Sequence, residues 1–398
     1  MPVFDRAAVP RAYDRIRPQI MDLETENIAE LAVRAGTLQD VITLWYGEGD
    51  LVTPAFIRDA AKEALDTGHT FYVPDMRGLP ALTEALSSYQ TALHGRPIST
   101  GRSTVTPGGM QAVFLALDLL VERGENVVYV EPQWPNIRHA IHVVGGEPRP
   151  VALRYENDDW RLDLDALFAR CDARTKAIMF STPSNPLGWT ASAEELQALI
   201  DFSRRTGIWI ISDEIYNRLH YSADRAPSVL QFAEDEDLVI SINGFSKAWA
   251  MTGWRLGWLT HPVSVGGPLS AMTQYINSGT AAFVQAGGLA AITRGEPVVR
   301  EIRERCRAGV DAAYEALSGL NSVVLPTKPK AGMYVTFALA DESDSRQACT
   351  RLLEEARVGL APGWLFGEAS NAFLRMCICR DTRQIEEAAG RIARTLGA

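Results

Sequence analysis

The chain has 398 residues, of which 46% are hydrophobic and 22% charged, and its formal net charge is −10. That length exceeds what one compact core usually spans, so two domains are expected. The acidic balance argues against a phosphodiester backbone as partner, and no apolar run approaches the roughly 20 residues of a membrane helix, so neither nucleic-acid binding nor membrane spanning is expected.

The first residues alternate charge and proline without a signal-peptide core, which predicts a cytoplasmic protein. Apolar residues at helical spacing predict a helix over Asn27–Ala35, with Gly36 as its stop. Val41–Trp45 reads as a short extended piece, and Thr53-Pro54 opens a helix to about Asp66 with proline at its first position. From residue 100 the pattern becomes α/β. Val105-Thr106 ends a strand, and Pro107-Gly108-Gly109 turns into a helix through Val121. Further strands are predicted at Glu125–Glu131, near Pro148–Leu153, and at Thr175–Ser181, Ile208–Ser212, Leu238–Ile242 and Arg255–Leu259, with a helix at Ala191–Arg205. Short apolar runs separated by helices imply a buried, largely parallel sheet covered on both faces. Past about residue 285, amphipathic helices at 297–318 and 382–396 flank strands near 331–338 and 372–379. The expected division is a large domain at 46–290 and a small α+β domain made of 1–45 and 291–398.

Five cysteines are scattered along the chain. Cys377 and Cys379 would share one face of an alternating strand, and with no second Cys or His pair at ligand spacing they read as buried thiols, so no metal is expected.

In open α/β sheets, ligands bind beyond the carboxyl ends of the strands. The residues that follow the apolar runs are Pro107-Gly108-Gly109-Met110, Ser184-Asn185-Pro186, Asp213-Glu214-x-Tyr216 and Gly244-Phe245-Ser246-Lys247. An amide, a carboxylate, a phenol and a lysine are thereby predicted to converge on one edge. A glycine pair at a helix N-terminus offers free N–H groups to an anion.

These segments carry a family resemblance. SINGFSKAWAMTGWRLGW resembles the lysine motif of class I/II (fold type I) aminotransferases, S-x-S-K followed by G-x-R-x-G. STPSNPLG, SDEIY, VTPGGMQAV and FLRMCICR resemble four more motifs of that family, in its order, over roughly residues 40–380. The resemblance implies the fold type I architecture: a mostly parallel seven-stranded sheet flanked by helices, plus a smaller α+β domain. It also implies pyridoxal 5′-phosphate (PLP) as cofactor, held as a Schiff base by Lys247. Asp213 would pair with the ring nitrogen, a position where aspartate equally suits a helix N-cap. Asn185 and Tyr216 would bind the ring's phenolate oxygen. Gly108, Gly109, Met110, Ser246 and Arg255 would surround the phosphate, and Trp134 would stack on the ring. Arg375 would clamp the substrate carboxylate together with the Gly47 N–H and Asn185, with Trp45 beside them; Arg380 lies on the same predicted strand but on its other face. Tyr72 would reach the neighbouring subunit's phosphate, which implies a homodimer with shared sites.

The implied reaction moves an α-amino group from an L-amino acid to a 2-oxo acid. Lyases, decarboxylases and oxidases use the same residue set, so the motifs alone leave them open. A regulator built on this fold would carry a winged-helix domain ahead of residue 40, and no room for one is expected here. The chain departs from the family pattern at four places. Gly244 replaces a serine, Met110 stands where Ser or Thr is frequent, Trp45 replaces a glycine, and Tyr72 to Gly78 is one residue longer than usual.

Overall fold

The computed structural model describes residues 15–23 and 28–397. Asn27, the first residue of the predicted N-terminal helix, lies outside them; the helix itself runs Ile28–Ala35 and buries Ile28, Leu31 and Ala35.

The central sheet has seven strands: β1 Ser103–Thr106, β2 Asn126–Glu131, β3 Glu147–Ala152, β4 Thr175–Ser181, β5 Trp209–Asp213, β6 Val239–Gly244 and β7 Gly257–Thr260. Their spatial order is β1-β7-β6-β5-β4-β2-β3. β7 runs antiparallel to both β1 and β6, whereas the pairs from β6 to β3 are parallel. Strands such as β4 are apolar almost throughout because both faces are covered. One core lies on each face: Ile178, Phe180 and Ile210 pack with Leu196 and Leu199 on one side, Met179, Ile211 and Ile240 with Val113 and Leu117 on the other.

Local signals set the helices. Ser192 and Glu195 form a reciprocal capping box at the start of Ala193–Thr206, and Gly207, at φ 74°, closes it in the left-handed region. Pro80 opens Pro80–His94 and Gly95, at φ 71°, ends it.

A second sheet has four strands in the order β8-β9-β11-β10: β8 Val323–Val324, β9 Tyr334–Leu339, β10 Ala361–Pro362 and β11 Phe373–Cys377. Its core joins β9 and β11 to the helices Glu296–Leu317 and Thr382–Leu396 and to Leu31 near the N-terminus. The long helix approaches β11's exit closely at Gly309, where a Cβ would overlap the Ile378 carbonyl oxygen and stand 3.0 Å from Ile378 Cβ. Gly309→Ala is therefore expected to destabilise the fold by roughly 1–3 kcal/mol, since backbone must shift to admit the methyl group. A urea midpoint equal to that of the parent chain would contradict this close packing.

Two predicted boundaries need correcting. The strand expected at Arg255–Leu259 begins at Gly257, because Arg255 sits at φ 52°, outside the extended region. The strand expected to run through Cys379 ends at Cys377, so the offset argument that set Arg380 opposite Arg375 does not apply; Cys377 and Cys379 are nonetheless both buried. Among the described residues no helix is long and apolar enough to cross a membrane, and no group of three or more His, Cys, Asp and Glu side chains is arranged to hold a metal ion.

Candidate active site

Strand register brings the predicted residues to one edge. Ser181 lies opposite Asp213, Asp213 opposite Ile242, Gly244 opposite Gly257, and Gly257 opposite Thr106. Beyond that edge is a cavity of about 290 Å³. Its lining includes Trp45, Gly47, Gly109, Met110, Trp134, Asn185, Asp213, Tyr216, Ser246, Lys247, Arg255 and Arg375 from the sequence-based set.

Lys247 lies in the short helix Phe245–Ala248 that follows β6 directly. Its Nζ donates to the Gly47 carbonyl oxygen at 2.6 Å and lies 6.0 Å from the centre of the Tyr216 ring. Burial holds its ammonium below the usual lysine value, and the positive charge of Arg375 adds to the effect. Asp213 ends β5 and is 7% exposed. Burial raises its carboxyl group to about 6, partly offset by the Ile215 N–H, which donates to Oδ1 at 3.2 Å, and by the Lys247 charge. The aspartate thus makes a turn-type contact to its own backbone and faces the cavity as well. Its neighbour Glu214, likewise raised to about 7 by burial, points elsewhere: Oε1 accepts from Ser212 Oγ at 3.1 Å and from the Val229 N–H at 3.0 Å.

Arg255 and the glycine pair form one end of the cavity. A Cβ on Gly108, which has φ 90°, would stand 2.7 Å from an Arg255 guanidinium nitrogen. Gly257 allows the same close approach from beneath, since its Cβ would lie 2.9 Å from Gly109 N. The helix Gly109–Leu120 starts here, with free N–H groups and the positive end of its dipole. A Cβ at Gly244 would stand 2.8 Å from the terminal Ile215 Cδ1 and 3.3 Å from the Leu256 carbonyl oxygen.

Arg375 on β11 forms the other end. One guanidinium nitrogen donates to Asn185 Oδ1 at 2.8 Å and the other to the Trp45 carbonyl oxygen, while Nε has no partner among the described residues. The guanidinium lies 4.5 Å from the Tyr334 ring centre and 4.7 Å from that of Phe366. Tyr334 and Phe366 are site residues that the sequence did not single out. Tyr334 shares a 2.8 Å hydroxyl contact with Tyr216, and a Cβ at Gly47 would overlap its hydroxyl oxygen. Burial pushes the Tyr334 phenol up to about 12.

Gly108 borders the cavity through Arg255 rather than lining it. Tyr72 is not brought into the cavity; it is 85% exposed, beside the equally exposed Phe71.

The match to known proteins follows the same residues. Residues 39–392 match the family model Aminotransferase class I and II. An aspartate aminotransferase of Pyrococcus horikoshii is 30% identical over 96% of this chain and 97% of its own length. Aromatic-amino-acid aminotransferase 2 of Thermococcus litoralis is 30% identical over 93% and 95% of the two chains. The crystal structure of the Thermotoga maritima aspartate aminotransferase superposes with a TM-score of 0.88 at 29% identity, covering 96% of this chain and 100% of that one. With a family match over most of its length, a matching fold and the family's motifs gathered around one cavity, this chain belongs to the class I and II aminotransferases, a family of PLP-dependent enzymes.

Proposed function

We propose that this cavity holds PLP and transfers the α-amino group of an L-amino acid to a 2-oxo acid. The observation that carries the reading is the placement of Lys247 Nζ and the Asp213 carboxylate on one cavity, between Arg255 at one end and Arg375 at the other. The residues suit the cofactor. Gly108 leaves no Cβ between its backbone and the Arg255 guanidinium, and the helix N-terminus beside it favours a phosphate. A buried carboxylate without a cationic hydrogen-bond partner is costly, and a protonated ring nitrogen would relieve it. Trp134 supplies a ring for stacking, and Asn185 and Tyr216 the polar groups for a phenolate.

When bound, PLP supplies an aldehyde that condenses with amines and a protonated ring that withdraws electrons from the donor's Cα. Lys247 would hold it covalently. With its amine free, Lys247 would serve as the base at the donor's Cα–H bond, and burial favours the unprotonated form that this role needs. Arg375 binds the donor's carboxylate with two parallel N–H groups, and the flanking Tyr334 and Phe366 rings fix the guanidinium plane. Asp213 would hold the cofactor's ring nitrogen in its protonated form.

Lys247's depressed value predicts a pH dependence. The free amine attacks the aldehyde, and its fraction grows as pH rises through the amine's own titration, which lies below the ordinary 10.5. The rate at which apoprotein captures PLP should therefore rise with a midpoint below that of the ε-amine of Nα-acetyl-lysine in a parallel stopped-flow series. Coincident midpoints would contradict the burial argument.

The reaction class is tested by product balance. Amine transfer gives one new amino acid per oxo acid formed, with no free ammonia; stoichiometric ammonia would favour a lyase or an oxidase instead. The relatives named for aspartate and for aromatic amino acids set the donors to try first.

We also propose a homodimer in which Tyr72 reaches the partner's phosphate site, and two domains at 46–290 and at 1–45 with 291–398. The exposed Phe71, Tyr72 and Tyr275 support the first, being apolar rings left in solvent by one chain. The core shared by the four-stranded sheet, the two long helices and Leu31 supports the second. Sedimentation reads the dimer directly, and a monomer at micromolar concentration would exclude it.

A further inference from the structure

Three of the five cysteines, Cys306, Cys377 and Cys379, are buried together in the core of the four-stranded sheet, and amine transfer uses none of them. Backbone geometry pairs two of the three. The helix Glu296–Leu317 meets the chain leaving β11 at Gly309, against Ile378. Cys306 lies three residues before Gly309, on the same helix face, and Cys379 is the residue after Ile378. The Cys306 thiol donates to Cys379. That contact holds the Cys379 thiol below its usual value against the effect of burial, and the charges of Arg305 and Lys247 add to it. Burial and the same contact hold the Cys306 thiol well above its usual value. Cys377 is engaged elsewhere, its thiol donating to the Glu48 carbonyl oxygen at 3.7 Å.

Cys379 also lines a second, smaller cavity of about 50 Å³, which shares Ser246 and Lys247 with the larger one. The exposed Glu48 and the half-buried Gly49 and Thr252 line it too, so it lies just beneath the surface. A Cβ at Gly49 would stand 3.3 Å from Cys379 Sγ, so only glycine backbone covers the sulfur on that side. The volume exceeds what one water needs, and a molecule as small as hydrogen peroxide fits. Among the described residues no cluster is arranged to hold a metal ion, which leaves thiol chemistry for this group.

We propose that Cys379 and Cys306 form a peroxide-sensitive dithiol, Cys379 attacking and Cys306 resolving, that closes to a disulfide beside Lys247. The Cys379 thiolate attacks one peroxide oxygen; an S–O bond forms, the O–O bond breaks, and hydroxide leaves to become water. The Cys306 thiol gives up its proton and attacks the Cys379 sulfur; an S–S bond forms, the S–O bond breaks, and a second water departs. The two sulfurs are oxidised and one peroxide is reduced. The test treats the holoenzyme with hydrogen peroxide, blocks remaining thiols with iodoacetamide, and maps tryptic peptides by mass spectrometry. Trypsin places Cys306 in 306–307 and the other two thiols in 376–380. The expected product links these two peptides, is separated again by dithiothreitol, and forms at least about tenfold faster than Cys349 is oxidised. Cys349 is the control because it is buried in the same core and lines neither cavity. Cys377→Ala should keep the link and Cys379→Ala should abolish it. In Cys306→Ala a sulfenic acid should accumulate on Cys379 and be trapped by dimedone in a denaturing quench. A pair still reduced once Cys349 is oxidised would overturn the proposal, and the parent chain alone decides this. A link made through Cys377, or trapping at Cys306 in Cys379→Ala with none at Cys379 in Cys306→Ala, would overturn the assignment of the two sulfurs. None of these readouts depends on amine transfer.

Discussion

Replacing Lys247 with alanine is expected to lower the rate of amine transfer on the order of 10⁴-fold, because one side chain both holds the cofactor and moves the proton. The geometry makes substitution by a neighbour difficult. Lys247 is the one lysine in the cavity lining among the described residues, and the other cations there are arginines, which stay protonated. Its Nζ is placed by the helix Phe245–Ala248 at the end of β6, with the Gly47 carbonyl as its hydrogen-bond acceptor. Lys247→Arg should be as inactive as Lys247→Ala, because it keeps the charge but removes the titratable amine. Single-turnover measurement of the donor half-reaction checks this at saturating donor. A loss below tenfold in either variant would show that another group is the base.

The second large effect concerns Asp213. Asp213→Asn should lower kcat by about 10²–10³-fold with little change in KM, because the carboxylate acts on the ring's electron demand in the transition state rather than on donor binding. The substitution is nearly isosteric, and the amide oxygen can still accept from the Ile215 N–H, so the turn after β5 is spared. Glu214 provides an internal control. It is equally buried and also raised by burial, yet it bonds to Ser212 and Val229 and does not line the cavity. Glu214→Gln should leave kcat within about threefold. Equal losses in the two variants would mean that burying a carboxylate, not facing the cofactor, is what matters.

The large sheet and its edge were legible because their signals are local. β4 and β5 carry short apolar runs, 177–180 and 209–211, and within a few residues of each lies a polar group at the cavity, Ser181 and Asn185 after the first and Asp213 after the second. Lys247, Asp213 and Asn185 could thus be placed at that edge from topology, whereas Arg255 and the roles of all four came from the family resemblance. Tyr334 and Phe366 came from neither. Tyr334 sits on a strand buried at every position, where nothing separates a ring that touches Arg375 from one that fills the core. Phe366 lies in the short turn Gly363–Phe366, a conformation fixed by tertiary contacts rather than by any periodicity. The replacement of serine by Gly244 was visible as a departure, but the nearness of Ile215 and of the Leu256 carbonyl to that position is a tertiary contact that no local pattern shows. Tyr72 shows the opposite limit: a residue whose proposed role depends on a second chain leaves an exposed ring in one chain alone.

The most direct test is chemical. The purified protein is loaded with PLP, freed of unbound cofactor by gel filtration, treated with borohydride, digested, and mapped by mass spectrometry for the peptide carrying a reduced cofactor adduct. The adduct is expected on Lys247 alone, with loss of the visible absorbance, and neither signal should appear in Lys247→Ala. A stable adduct on any other lysine, or undiminished cofactor absorbance in Lys247→Ala, would contradict the assignment on which the whole mechanism rests.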